Sequence, residues 1–240
     1  MRALYSKNVP NLIFAGRNIS VSHVALSSTR VMATCMQLGQ AAGTLASVAL
    51  SSGRSLKETG RNAYAEVQRL LLEDDVTIPG LKRSPLPELL KTTLLSNRPN
   101  AECVRNGNNR LQTIDGEELP CWKGGTGDYI TYDFGETRAV SHIRLVLDSA
   151  LEFRGVNNRQ LNTSFLQFID NPRHQSTPRE ILQNLDILGD DHQRLLQIRD
   201  NHQRFLTLKL PEGTRARSIT LRPLDPEAKA VLQFEVYMHP

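Results

Sequence analysis

Cysteine is scarce in this chain: three in 240 residues, at Cys35, Cys103 and Cys121. That excludes a disulfide framework, and the spacing is not that of a metal-ligand set. Cys103 and Cys121 either pair, if the protein is exported, or stay as two thiols. Aromatic residues make up only 5%, and lysine and arginine are scattered without a like-charge run. A dedicated nucleic-acid surface is therefore excluded, although the net charge is +4. The start shows no signal-peptide pattern, because the apolar run at 12–15 after Arg2 and Lys7 is too short for an h-region. Residues 31–53 carry no charge, a length that raises a membrane helix, for which about 20 residues suffice. Gln37 and Gln40 near its middle, with Thr34, Thr44, Ser47 and many alanines, argue against a span. A buried helix packed through small residues, including Gly39 and Gly43, explains the stretch better. The chain also has no G-x-G-x-x-G. Its nearest glycine clusters, Asn106-Gly107 and Gly124-Gly125-x-Gly127, precede no helical pattern and read as turns.

What is present divides in two. Hydrophobic content of 39% and charged content of 22% are those of a soluble globular protein. The length fits one large or two modest domains. The run at 11–51 reads NLIFAGRNISVSHVALSSTRVMATCMQLGQAAGTLASVALS. Residues 11–15 are predicted to form a short strand ending at Gly16-Arg17. A polar loop with His23, Ser27 and Ser28 follows. A helix is then predicted with Ser28 as N-cap and Gly53 as stop, Val31, Cys35, Leu38, Ala42, Leu45 and Ala49 sharing one face. A second helix is predicted over 57–73 with Val67, Leu70 and Leu71 inward. Residues 76–100, with Pro79, Pro85, Pro87 and Pro99, read as a connector with at most a short helix near Leu89.

After residue 100 the periodicity changes to alternation. Residues 128–134 and 140–148 are predicted strands, as are 205–210, 217–222 and 231–237, with Gly135, Pro211-Glu212-Gly213 and Pro223 between them. DHQRLL at 191 is echoed by NHQRFL at 201, read as two strands of a hairpin or as coincidence.

A strand, a glycine turn and a helix N-terminus together make a place to hold an anionic or electron-rich ligand. The pattern G-R-x-I-S-x-x-H-x-A-x-x-S-x-R-V-M-x-T-C-x-x-x-G-Q-A-A-G, from Gly16 to Gly43, resembles the C-terminal flavin-contacting segment of the FAD-dependent oxidoreductase family with two-dinucleotide-binding-type folds. The resemblance implies FAD as cofactor and hydride transfer as reaction type. It places the amides of Arg30, Val31 and Met32 toward the isoalloxazine ring. Gly16, Arg17 and Asn18 come where the strand end meets the cofactor. His23 falls in the facing loop, as an acid or base toward substrate. Enzymes of this fold hold the ADP half with an upstream G-x-G-x-x-G. The chain thus resembles the C-terminal part of a longer flavoprotein, incomplete for FAD on its own, with the N-terminal FAD-binding region of the same protein as its partner. An exposed apolar face is expected on residues 1–75 where that region is absent.

The second half resembles a galactose-binding-like (discoidin-type) jelly-roll. The carriers are Asn106-Gly107, Trp122 before DYITYDFGE, then VSHIRLVLDS, RSITLRPL and LQFEVY. This resemblance implies a non-catalytic module that binds a carbohydrate or serves as a structural appendage. Trp122, Tyr129 and Tyr132 are candidates for a sugar-stacking platform or for core aromatics. Asp190, Asp191, His192, Asp200 and His202 lack recognised ligand spacing and read as a solvated turn, so no metal is expected. The fold class expected is α+β. Residues 1–75 form the C-terminal portion of the flavoprotein fold (strand, loop, buried helix). Residues 76–100 form the Pro-rich connector, and residues 101–240 an antiparallel β-sandwich. Expected partners are a small-molecule or carbohydrate substrate, with no nucleic acid and no membrane span.

Overall fold

The computed structural model describes residues 1–110, 113–114, 117–118, 120–149 and 180–238. The chain divides into two compact units, Met1–Arg83 and Ser84–Pro240.

The first unit is helical: α1 His23–Thr29, α2 Met32–Ser52, α3 Leu56–Asn62 and α4 Tyr64–Glu73. Gly53 ends α2 as predicted. It takes φ +64, a left-handed conformation that glycine adopts without Cβ strain, and its N–H turns back to the Leu50 carbonyl at 3.3 Å. Ser55 caps α3 by accepting from the Glu58 amide at 3.2 Å. Ala42, Leu45 and Ala49 of α2 are buried. With Val48 they present one stripe to the other elements, and Leu4, Tyr5, Ile19, Val67 and Leu71 close the core.

Three local expectations change here. Residues 11–15 form a single bridge, Tyr5 with Ile13, because the chain reverses at Pro10 and only the segment around Leu4 to Ser6 runs beside it. The loop around His23 is instead α1, nucleated by Ser22, whose hydroxyl accepts from the Ala25 amide at 3.4 Å. The second helix breaks at Ala63, φ −122 and ψ 21, into α3 and α4. Before the break Gly60 lies against the Tyr5 ring, where a Cβ would come within 2.7 Å of Cε1. Beyond it Val67 enters the core.

The second unit is an antiparallel β-sandwich. The short helix α5, Pro87–Leu90, starts on a proline whose missing N–H is no loss in a first turn. The strands are β1 Thr93–Ser96, β2 Thr113–Ile114, β3 Glu117–Glu118, β4 Trp122–Gly124, β5 Ile130–Leu147, β6 Leu185–Leu188, β7 Arg194–Ile198, β8 Phe205–Lys209, β9 Arg215–Pro223 and β10 Lys229–Met238. β2 and β3 pair only with each other. The two strands predicted over 128–134 and 140–148 are one bent strand, β5. Ile130 to Asp133 pair with β1 and β9, and the ladder is then irregular between Asp133 and Arg138 around Gly135, φ +75. Beyond the bend β5 pairs with β10 and β8. One layer thus runs β1-β5-β9-β6-β7 and the other β4-β10-β5-β8, with β5 in both. β1 lies inside the stretch expected to be connector, and its four residues extend the sheet. β7 and β8, which carry the DHQRLL and NHQRFL echo, pair with β6 and β5, so they form no hairpin.

Inward residues of both layers make the core, among them Trp122, Tyr132, Leu145, Leu185, Leu221 and Phe234. The Tyr132 hydroxyl donates to the Phe234 carbonyl at 2.8 Å, joining the layers through a buried polar contact. Such contacts are needed because an unpaired buried hydroxyl would be costly.

Candidate functional site

The first unit brings two of the predicted segments together. Gly16–Asn18 form a single 3-10 turn that begins with Gly16 at φ +81. Buried Ile19 anchors its end, and the Ser20 amide donates to the Ala3 carbonyl at 3.0 Å. A Cβ on Gly16 would lie 3.9 Å from the Cβ of Cys35, in the first turn of α2. The glycine turn therefore rests against the start of that helix. Arg30 and Val31 link α1 to α2, and the Cys35 thiol donates to the Thr29 carbonyl at 3.7 Å, holding the junction. Cys35 is a half-buried packing thiol, as its place one turn into the helix suggested.

Val31 is the N-cap of α2 and has no side chain that can cap it. The leading amides of a 21-residue helix are left without a side-chain acceptor, with the helix dipole behind them. Arg30, Val31 and Met32 are exposed, as are Arg17 and Asn18. The residues fit the ring end of a flavin on three counts: open amides, a glycine that permits close backbone approach, and a nearby guanidinium. They supply nothing for the ADP end. His23 stands exposed at the first position of α1 and makes no side-chain hydrogen bond among the described residues.

A further feature is the outer surface of this unit. Val24, Val31, Met32, Met36 and Leu50 are 85%, 53%, 83%, 76% and 84% exposed. An added Cβ on Gly39 or Gly43 meets nothing within 4 Å. The sequence reading made these glycines packing positions, and among the described residues they face open space. Their small size and the absence of charge were the only signals available. α2 is buried on one side alone.

In the second unit the candidate polar residues are used by the fold. Trp122 and Tyr132 are fully buried, which removes them from any stacking platform and leaves Tyr129 exposed at 41%. The glycine cluster is a turn held by Asp128, whose carboxylate accepts from the Gly125 amide at 2.9 Å and pairs with Arg98 at 3.0 Å. The Gly125 hydrogen bond outweighs burial and, with Arg98 and Asn97, holds the Asp128 carboxyl below its ordinary value. Among the described residues no cluster of three His, Cys, Asp or Glu side chains can hold a metal, and no helix is long and apolar enough to cross a membrane.

Asp190, one of the acidic residues around the turn, serves β9. Its carboxylate accepts from the Arg217 amide at 3.0 Å, the Ser218 amide at 2.9 Å and the Ser218 hydroxyl at 3.1 Å. Burial pushes this carboxyl up, but the hydrogen bonds and the Arg217 charge outweigh it, so it sits below the ordinary value. A lowered carboxyl adds stability above the unfolded value of about 3.9, and that stability is lost as pH falls through the folded value. Asp190→Asn is expected to cost about 1–2 kcal/mol near neutral pH and to converge with wild type in acid. Thermal melts across that range check it, and a gap independent of pH would count against the assignment.

Residues 1–71 match the family model of FAD dependent oxidoreductases. The matched stretch contains the glycine turn, α1, α2 and α3, and ends within α4. The family's cofactor is FAD, by its description. No curated protein matches the chain. Among solved structures the chain is similar to the family 32 carbohydrate-binding module of Streptococcus pneumoniae EndoD, at 12% identity over 62% of this chain and 97% of that one, with a TM-score of 0.41. It is similar to chitosan-binding module 2 of the Paenibacillus sp. IK-5 chitosanase/glucanase, at 13% identity over 62% and 98%, TM-score 0.38. A fucolectin from striped bass (Morone saxatilis) serum is similar at 14% identity over 66% and 50%, TM-score 0.42.

Proposed function

We propose that the chain contributes the flavin-ring half of an FAD-dependent oxidoreductase site, completed by an N-terminal FAD-binding region of the same protein. The observation that carries this is the family match over residues 1–71, on a unit whose glycine turn abuts an uncapped helix start. When bound, FAD would accept a hydride from a substrate carbon. The chain's own part is to orient the ring and stabilise charge. The amides of Arg30, Val31 and Met32 would hold the electron-rich part of the flavin, where the helix dipole favours negative charge. Gly16, Arg17 and Asn18 would hold the cofactor at the turn, where Gly16 lets the backbone come close. His23, at the start of α1, takes or gives a proton to the substrate. The exposed row of α2, from Met32 to Leu50, is where the FAD-binding region packs.

The test has two arms. After incubation with excess FAD and desalting, the 240-residue chain alone is expected to be colourless. Preceded in frame by a G-x-G-x-x-G-containing FAD-binding segment of the same family, it is expected to retain flavin. In that longer protein Gly16→Leu is expected to lose most of it, because leucine is strained at φ +81 and its Cβ already reaches Cys35. Retained colour in the chain alone would overturn the division of the site. Normal flavin content in Gly16→Leu, with an unchanged circular dichroism spectrum, would overturn the placement of the cofactor.

A second reading, the sandwich as a module for a carbohydrate or another small polar molecule, is supported by one cavity. It measures about 390 Å³ and lies between the second half of β5 and the end of β8; its lining is largely apolar, with Val140, Leu210 and Pro211, and His142, Lys209 and Glu212 supply polar groups. Tyr237 stacks on His142 beside it, ring centroids 4.2 Å apart.

A further inference from the structure

The Cys103 thiol donates to the carbonyl of Pro120 across 3.1 Å, and Pro120 is bonded directly to Cys121. By standard peptide dimensions the Cys103 sulfur is within about 6 Å of the Cys121 Cα. Both residues sit on held segments. Cys103 belongs to the 3-10 turn Ala101–Arg105, which packs on β4 and β10. Arg105 ties that turn down, donating to the carbonyls of Leu89 and Thr92 and pairing with Glu102 at 2.6 Å. Cys121 immediately precedes Trp122, whose indole is fully buried. Both cysteines are half-buried, so a small oxidant can reach them, and no disulfide joins them in this structure.

We propose that Cys103 and Cys121 are a disulfide-forming pair that clamps the 3-10 turn to the start of β4 when the protein meets an oxidised thiol pool. A cross-link requires Cα atoms about 4.4–6.8 Å apart; the contact at Pro120 bounds this pair at about 9 Å, and the 3-10 turn closes the remainder onto the start of β4 as the bridge forms. With glutathione disulfide as oxidant the chemistry balances in two exchanges. The Cys121 thiolate attacks one sulfur of glutathione disulfide and expels a glutathione thiolate, which takes up a proton. Cys103 then loses its proton to water and attacks the Cys121 sulfur, expelling the second glutathione. Two protein thiols are oxidised and one glutathione disulfide is reduced to two thiols. Burial and the Glu102 carboxylate push the Cys103 thiol up, so less of it is thiolate and its attack is the slower of the two exchanges. Cys35 lies in the other unit and takes no part.

The experiment treats the full chain with glutathione disulfide, alkylates it under denaturing conditions and measures intact mass and a non-reducing peptide map. The expected result is loss of two hydrogens, one alkylated cysteine of the three, and a single cross-linked peptide containing residues 103 and 121. The oxidised protein is expected to melt about 5 °C or more higher, the gain disappearing on reduction. In Cys103→Ser, whose hydroxyl keeps the hydrogen bond to Pro120, the reaction is expected to stop at a glutathione adduct on Cys121. Wild-type protein that accumulates only glutathione adducts, or a cross-link that includes Cys35, would overturn the proposal.

Discussion

Trp122→Ala is expected to lower the stability of the second unit by about 3–5 kcal/mol, the range for emptying a large aromatic site in a core. The side chain is fully buried and is the largest in the core cluster. Its indole N–H donates to the Ser96 hydroxyl at 2.8 Å, so β4 is tied to β1 as well as packed beneath it. The substitution leaves a void that neighbours cannot fill. Gly124, two residues on, lies so close that a Cβ there would come within 2.4 Å of the ring, and it has no side chain to move in. Domains are stable by only about 5–15 kcal/mol, so a loss of this size takes much of the margin. Tyr129→Ala, at a 41% exposed position between β4 and β5, is the control and is expected to change stability by no more than about 0.5 kcal/mol. Urea unfolding followed by far-ultraviolet circular dichroism measures both. A loss below about 1 kcal/mol for Trp122→Ala would remove this residue from the core.

The contrast between Trp122 and Tyr129 shows where sequence patterns stop. Alternation around residues 128–134 placed Tyr132 with Ile130 and Phe134 on one face, and Ile130 and Tyr132 are fully buried. Local alternation says nothing about which layer covers that face, so Trp122 remained open between core and platform. Its burial depends on β10, which pairs with β4 from more than a hundred residues away. The bend in β5 has the same origin. Gly135 read as a turn because glycine favours one, yet the strand continues beyond it into the other layer, where β8 and β10 supply partners. β1 was illegible because four residues between prolines carry too little pattern, and β5 recruits them. The signals that did carry through are local and steric: Gly53 as a helix stop, the short helix near Leu89, and the apolar spacing of Ala42, Leu45 and Ala49. The acidic group around Asp190 shows the converse. Its composition suggested ligands or solvent, while the carboxylate of Asp190 is spent on two backbone amides of β9. For the candidate site, the glycine turn and the helix start were legible as a motif. The form of the segment between them was not: Ser28, expected as the N-cap of the long helix, lies inside α1, which Ser22 caps, and α2 starts three residues later at Val31 without a side-chain cap.

Gly43→Leu should separate what this chain needs from what its proposed completion needs. In the 240-residue chain an added Cβ at this position meets open space. Glycine in a helix interior costs about 0.5–1 kcal/mol relative to good helix formers, so the variant is expected to be as stable as wild type or slightly more so. Thermal unfolding of the first unit reads this directly. In the protein extended by an FAD-binding region, the same leucine would stand in the surface where that region packs. Small residues let a neighbouring backbone approach closely, and a leucine in such an interface forces the packed layers apart. Flavin retention is therefore expected to fall by at least tenfold while α2 itself is intact. Met36→Glu on the same exposed row should act in the same direction, through burial of a charge instead of bulk. If the extended Gly43→Leu protein keeps its full flavin content, α2 is not the packing surface, and the apolar row from Met32 to Leu50 needs a different occupant. If flavin is lost and the isolated chain is also destabilised, the effect belongs to the helix and not to the interface. The combination of an unharmed chain and a colourless extended protein is the one outcome that places the FAD-binding region on α2.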